Sequence, residues 1–432
     1  MEQTDIKSVI TCDLEGRIET VNPAVEKIFG YKPEELIGQK RVSQFSPGLV
    51  VLGHVQNWLK TASQEGEFRT RTVFVRRDGT PFTADIRITP TFKNKKQIGY
   101  CGVTIPRPDI PPEQAMPPIS LATRLFSWLV ITRSPFLTAT IVPILTGAAW
   151  VFAQELVSPF PWGLFLLALL GGIAIHISAN TFNDYFDWKS GTDPANNDYF
   201  MPYSGGSRSI ELGLITEKKL LRVGWAALLV AFLAGLPIFL ITGPGLLLFG
   251  LAGAFSAYYY TAPPLRLASR KGLGELVVGM NFGPLMTAGT VYALTGQVSW
   301  DAFFIGLPVG LLTTAILWIN QFPDMEADQR TGKHNLVVTL GKERACWGYV
   351  LLLAATFGFI LLGVAADIMP LTALLALAGL PLAITAVRVL FKHYGDRALI
   401  KANSTTILLQ LVAGLMLALG LFLSPFARII FS

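Results

Sequence analysis

Charge is what this 432-residue chain has least of: Asp, Glu, Lys and Arg make up only 15% of it. An ordinary soluble protein carries about a quarter. Cysteine is scarce as well. Cys12, Cys101 and Cys346 are scattered without metal-like spacing, which supports neither a disulfide framework nor a zinc site. The opening MEQTDIKSVITCDLEG has no apolar stretch of the kind a signal peptide needs. Lys and Arg total 35 against 29 Asp and Glu. These cations sit between hydrophobic runs and form no basic stripe, so no nucleic-acid partner is expected.

The shortage of charge is uneven. Residues 1–105 read as a soluble domain, whereas uncharged runs of 20 or more residues recur from about Arg133 onward. Such runs can cross ~30 Å of hydrocarbon. Mean hydropathy of +0.48 and 28 Phe fit a soluble head on a polytopic membrane body.

In the head, IKSVITCD and GRIETVN read as strands joined by a turn at Asp13–Gly16, and PAVEKIFG has helical spacing ending at Gly30. FRTRTVFVRR, TPFTADIRITP and KQIGYCGVTI alternate with period two, with Asp78-Gly79 as the hairpin signal. An α+β domain with an antiparallel sheet is expected. The phrases DLEGRIETVNPAVEKIFGYKPEELIGQ and RRDGTPFTADIRITP, followed by a last strand, resemble a PAS sensor domain over residues 5–105. The resemblance implies a module that binds a small ligand, haem or flavin, or that dimerises. The phrase expected of a flavin-binding light sensor is missing. His54 could ligate haem, although a lone His on a helical stretch is more often a surface residue.

Residues 106–120, PRPDIPPEQAMPPIS, hold six prolines and read as a semi-rigid extended spacer. LATRLFSWLVITR follows, suited to a helix at a membrane interface. The expected division is thus a sensor at 1–105, a linker at 106–120 and a membrane domain at 121–432.

Nine apolar segments are centred near residues 144, 170, 232, 250, 285, 311, 355, 378 and 414, which predicts an all-α bundle of nine membrane helices. Connections at 185–222, 264–271, 324–344 and 388–401 carry the Lys and Arg residues, and the alternate connections carry none. This alternation predicts an inner-membrane, multi-pass protein. Its amino terminus and head would be cytoplasmic and its carboxyl end, with Arg428, outside.

Where the uncharged run Leu156–Asn183 stops, NDYFDWKSGTD begins. On a helix Asn180, Asp184 and Asp187 lie within about 40° of one direction. A second stripe, Asn320, Asp324 and Asp328, follows the sixth segment. Carboxylates gathered this way repel unless a cation lies between them. Hard oxygen ligands suit Mg²⁺, which completes its shell with water and substrate phosphates. Solvated helix ends are the plain alternative for either stripe alone; two stripes on one side argue against it.

At these residues the chain resembles the UbiA family of membrane prenyltransferases. NDYFDWKSGTD and DMEADQRTGKHNLVVTLG match its two Asp-rich motifs, and TRSPFLTATIVPILTG, GGSRSIELGLIT and YYYTAPPLRLASRKGLGELVVGMNFGPL support the match. Within the family the first motif looks most like the 1,4-dihydroxy-2-naphthoate polyprenyltransferases of menaquinone synthesis. Asp193 stands six residues after Asp187, where four is commoner in the 4-hydroxybenzoate branch.

The resemblance implies transfer of a prenyl group from a prenyl diphosphate to an aromatic quinone precursor. Two Mg²⁺ ions would be held by Asp184, Asp187, Asp324 and Asp328, with Asp193 a further candidate. Asn180 and Asn183 would assist catalysis. Arg208, Lys333, Lys271, Arg133 and Lys189 are the candidates for the diphosphate, and Tyr258, Tyr260 and Asn320 for the allylic cation or the acceptor. His176 is a candidate inside the span, with a hydrogen-bonded structural role as its alternative. Three other readings stay open. One is related chemistry with a 4-hydroxybenzoate- or homogentisate-type acceptor. Another is a lipid acceptor or cyclisation of the chain. The last is a membrane sensor without enzymatic activity. The head is expected to regulate the enzyme and is a candidate dimerisation module.

Overall fold

The computed structural model describes residues 6–196 and 205–431, with side chains through Ala427, so Arg428 falls outside the described side chains. The chain forms two compact units. One comprises Met1–Ile131 and Arg208–Thr216, and the other Thr132–Ser207 and Glu217–Ser432.

The first unit contains the expected antiparallel sheet. Strands β1 (Ser8–Asp13), β2 (Ile18–Val21), β3 (Phe68–Val75), β4 (Pro81–Lys93) and β5 (Lys96–Pro106) lie in the order β2-β1-β5-β4-β3. The turn after β1 is closed by Asp13, whose Oδ1 accepts from the amides of Glu15 and Arg17 at 2.9 Å. Helix α1 (Ala24–Phe29) stops at Gly30, whose φ of 79° a side chain would resist and whose amide donates back to Glu26. The Asp78-Gly79 hairpin forms with Gly79 at φ 84°. Phe29 fills the interior: its ring centroid lies 4.3 Å from Phe45, 5.8 Å from Phe74 and 5.5 Å from Phe82. Helix α2 (Gln56–Glu65) covers a smaller cluster of Val50, Trp58, Ala62 and Ile88.

The proline-rich stretch departs from the expected spacer. Pro112–Ala115 makes one helical turn, which Pro tolerates at its first position. Arg107 Nε donates to Asp85 at 2.6 Å, His54 Nε2 lies 3.1 Å from the Pro118 carbonyl, and Ile119 packs on the Trp58 cluster. A chain poor in backbone donors is thus held down by side chains. Helix α3 (Leu121–Ile131) follows as expected and leaves Leu121, Leu125, Phe126, Trp128 and Leu129 exposed.

The second unit is helical: α4 (Thr138–Ala153), α5 (Trp162–Ser190), α6 (Glu217–Thr242), α7 (Leu246–Tyr259), α8 (Leu273–Met280), α9 (Met286–Thr295), α10 (Trp300–Arg330), α11 (Lys342–Ala365), α12 (Leu380–His393) and α13 (Ile400–Phe431). Among the described residues, seven helices are long and apolar enough to cross a membrane. The apolar segments expected near 250 and 285 fold differently. The first is the 14-residue α7; the second is α8 and α9 joined through a π-turn at Asn281–Leu285. Helix α10 is the axis of the unit, with 72% of its apolar window buried, whereas α6 has 17%. Buried polar ties hold neighbours to one another: Trp318 Nε1 donates to Ala345 O at 2.9 Å, and the Tyr349 and Thr406 hydroxyls lie 2.7 Å apart.

Candidate active site

Both carboxylate stripes arise where an apolar helix runs out of hydrocarbon-like sequence. Helix α5 carries Asn180, Asn183, Asp184 and Asp187 in its last three turns and ends at Gly191, in left-handed backbone at φ 81°. Helix α10 carries Asn320, Asp324 and Asp328 in its last three turns. The turn Thr192–Ala195 joins the two ends: Thr192 Oγ1 donates to Thr331 Oγ1 at 3.2 Å, and Asn196 Nδ2 donates to Asp324 Oδ1 at 2.6 Å.

Each aspartate has its own partners. The Asp184 carboxylate, 2% exposed, accepts from Arg133 Nη2 and from the Ser207 amide at 3.3 Å, while its Oδ2 is buried without a partner. Asp187 accepts from Asn183 Nδ2 at 3.2 Å. Lys333 Nζ lies 3.4 Å from Asp187 and 3.7 Å from Asp328, bridging the two helices. Asp328 also accepts from Asn335 Nδ2 at 2.7 Å, and Asp324 Oδ2 from the Gly205 amide at 3.1 Å. Burial disfavours the Lys333 charge, but Asp187 and Asp328 outweigh it and hold the ammonium above its ordinary range. Arg133 is likewise pushed up: Asp184, Asp193 and Asp187 overcome the cost of its burial. Gly206 has φ 76°, and a Cβ there would stand 2.8 Å from Asp193 Oδ2 and 3.1 Å from Arg133 Nη2. Glycine is needed at this close approach.

Most of these groups line one end of a cavity of about 400 Å³; Asp184 is not among its lining residues. Arg133, Asn180, Asn183, Asp187, Asp193, Asn320, Asp324, Asp328, Lys333 and Tyr260 all line it. Its remaining wall is mostly apolar and reaches Leu246, Phe249 and Ala293. Along α8 and α9 the lining runs from Val277 to Ala293, about 24 Å at 1.5 Å per residue. Such a space takes a long apolar chain with an anionic head at the aspartates. His176 also lines it, its Nδ1 2.7 Å from the Thr140 hydroxyl.

Other expected residues lie elsewhere. Tyr258 belongs to an aromatic cluster, 5.2 Å from Phe182 and 5.5 Å from Trp225, and does not line the cavity. Lys189 pairs with Glu217 near the surface, and Lys271 is exposed. Arg208 belongs to the other unit, its guanidinium 2.8 Å from Glu211. Three residues not anticipated complete the arrangement, Asn196, Gln321 and Asn335, beside Gly205 and Gly206 of the GGSRS phrase. A fourth, Glu275, could have been found as the lone acid in the apolar stretch LGELVVGM.

Among the described residues no three carboxylate, imidazole or thiol groups form a ready metal cage. The donors nonetheless fit a hard divalent ion. They are carboxylate and amide oxygens, Asp184 keeps an unpartnered buried oxygen, and Lys333 occupies the space between Asp187 and Asp328 as a positive counter-charge.

A family model described as the UbiA prenyltransferase family matches residues 140–405, and one described as a PAS domain matches residues 7–105. The 1,4-dihydroxy-2-naphthoate octaprenyltransferase of Mycobacterium tuberculosis is 31% identical over 67% of this chain and 95% of its own length. The enzyme of that name from Bacillus subtilis is 28% identical over 68% and 92%. The 2-carboxy-1,4-naphthoquinone phytyltransferase of Synechocystis is 30% identical over 63% and 84%. Among solved structures, a UbiA homolog from Archaeoglobus fulgidus bound to GPP and Mg2+ superposes with a TM-score of 0.50 at 17% identity. It covers 68% of this chain and 99% of that one.

Proposed function

The chain belongs to the UbiA prenyltransferase family and carries a PAS domain ahead of its catalytic part. From that premise we propose that it transfers a prenyl group from a prenyl diphosphate to a naphthoate-type phenolic acceptor in a quinone pathway. The observation that carries this reading is one cavity with two chemistries: Asp187, Asp193, Asp324 and Asp328 with Arg133 and Lys333 at one end, and a mostly apolar wall about 24 Å long behind them.

Asp184, Asp187, Asp324 and Asp328 would hold Mg²⁺, two ions in all, with Asp193 in reserve. The metal, when bound, neutralises charge on the departing diphosphate. Lys333 and Arg133 hold the diphosphate oxygens beside the aspartates. The tail lies along α8 and α9. The C–O bond to the diphosphate breaks, a C–C bond forms between the allylic carbon and an electron-rich ring carbon, and that ring carbon then gives up its proton to the released diphosphate, which restores the aromatic ring. Asn180, Asn183, Asn320 and Tyr260 edge the space where that carbon would lie. The apolar wall keeps water from the allylic cation. Lys189, Lys271 and Tyr258 have no part in this reading. The names of the relatives support the acceptor class, and the Archaeoglobus protein supports Mg²⁺ with a prenyl diphosphate.

The enzyme would sit in the inner membrane with α7 and the broken α8–α9 completing nine crossings, and the sensor on the cytoplasmic side. Helix α3 would lie in the interface, its exposed Trp128 and leucines in lipid. The PAS domain would regulate the enzyme through the loop Arg208–Thr216, which belongs to its unit. Purified protein given a radiolabelled prenyl diphosphate, Mg²⁺ and 1,4-dihydroxy-2-naphthoate should release diphosphate and form a prenylated product, and chelation should stop it. No release with any phenolic acceptor would remove this reading and leave a lipid acceptor, cyclisation of the chain or the membrane sensor.

A further inference from the structure

Gln321 and Glu275 form a buried polar pair that the reaction described above leaves unused. Glu275, on α8, is 4% exposed. Its Oε1 accepts from Gln321 Nε2 at 3.1 Å and from the Leu336 amide at 2.8 Å. These bonds fix the Gln321 amide, because turning it would set its oxygen against a carboxyl oxygen. Gln321 is 8% exposed and lines the cavity, and its Oε1 has no partner. A buried acceptor left without a donor is unfavourable and asks for a ligand that supplies one.

Position narrows the choice of ligand. Gln321 precedes Asp324 by three residues and Asp328 by seven on α10, so it shares their face about 4.5 Å deeper along the axis than Asp324. A diphosphate at the aspartates would set the reacting allylic carbon near that depth. The prenyl tail has no O–H or N–H to offer, whereas a phenol does. We infer that Gln321 Oε1 is the hydroxyl-recognising point of the acceptor subsite, with Glu275 as the positioning residue that holds the amide N–H and so leaves the amide oxygen for the ligand. This rests on the phenolic-acceptor reading above. The phenol O–H donates to Gln321, which fixes which ring carbon faces the allylic carbon. The Glu275 carboxyl, pulling on the amide N–H, makes the amide oxygen a stronger acceptor.

The test compares 1,4-dihydroxy-2-naphthoate with its two monohydroxy analogues, each as a competitive inhibitor so that ring reactivity does not enter. In the wild type, loss of the recognised hydroxyl should weaken inhibition about ten-fold, and loss of the other should do less. Gln321→Met, similar in length and apolar, should abolish that difference and raise the acceptor KM about ten-fold. Its KM for the prenyl diphosphate should stay unchanged, which also reports a folded enzyme. Glu275→Gln, which keeps an acceptor for Leu336 but frees the amide to turn, should lose part of the discrimination. If Gln321→Met keeps the wild-type inhibition pattern, or if only the prenyl diphosphate KM moves, the assignment is overturned. A wild type inactive with every phenol would instead sink the reaction itself.

Discussion

Lys333 shows how a single residue links the two stripes, since its ammonium is the cation nearest both Asp187 and Asp328. Replacing it by Met should raise the KM for the prenyl diphosphate at least about ten-fold, because two buried carboxylates lose their counter-charge as the substrate loses a contact. Saturation kinetics in each substrate will check this, with the acceptor KM expected to stay put. The pH dependence follows from the sign of the shift. A lysine held above its ordinary range keeps its charge below that range and loses it only as pH rises through the raised value. The prenyl diphosphate KM should therefore be level between about pH 7 and 9, and a rise across that window would refute the raised charge.

The aspartates were legible because each stripe repeats at helical spacing within a few turns of one segment. The partners were not. Asp324 takes Asn196 from 128 residues away, and Asp184 takes Arg133 from 51 away. Tyr258 and Tyr260 were equal candidates in sequence, yet two positions on a helix point about 200° apart. Only packing decides that Tyr260 lines the cavity while Tyr258 joins Phe182 and Trp225. Lys189 and Lys333 both flank a stripe, and a glutamate 28 positions downstream claims the first.

At the scale of elements, the crossing of α8–α9 with α10 is made by backbones. A Cβ on Gly283 would fall 2.6 Å from Gly306 O, one on Gly306 2.7 Å from the Pro284 Cα, and one on Gly310 onto the Gly279 carbonyl. Small residues permit this approach between apolar helices, where van der Waals contact has to replace a hydrophobic driving force. The crossing sets the π-turn at Asn281–Leu285 against α10, and Asn281, Phe282 and Leu285 line the cavity. Gly310→Ala should therefore destabilise the fold by about 1–3 kcal/mol and lower turnover with both substrates together. Thermal unfolding in detergent alongside the assay will show it; an unchanged melting temperature would mean the helices part without cost. The sequence marked this region as one apolar segment. Its division into two helices was not legible, because an extra residue in a helical turn leaves no mark on hydrophobicity.

At the scale of the molecule, the question is how the PAS unit would act on the proposed diphosphate site. The sensor's strands and turns were legible from alternation and from Asp-Gly and Gly signals, because they are local. The loop that joins α5 to α6 was read as a source of Asp193, of Arg208 and of the GGSRSIELGLIT phrase, yet Arg208–Thr216 folds with the sensor. A Cβ on Gly48 would collide with the Leu212 carbonyl and stand 2.7 Å from Leu214 Cδ2. The residues just upstream hold the aspartates: the Gly205 amide donates to Asp324 and the Ser207 amide to Asp184. Chain continuity alone makes any shift of the gripped segment a pull on those two donors. Gly48→Val should loosen the grip without touching the catalytic groups. Amide exchange should then speed up across Leu212–Ile215, and the prenyl diphosphate KM should change while the acceptor KM does not. Deleting residues 1–105 should have the same selective effect and remove any response to a PAS ligand. Faster exchange with both KM values unmoved would mean that the sensor holds the loop but does not govern the site, and regulation would have to run through α3 instead.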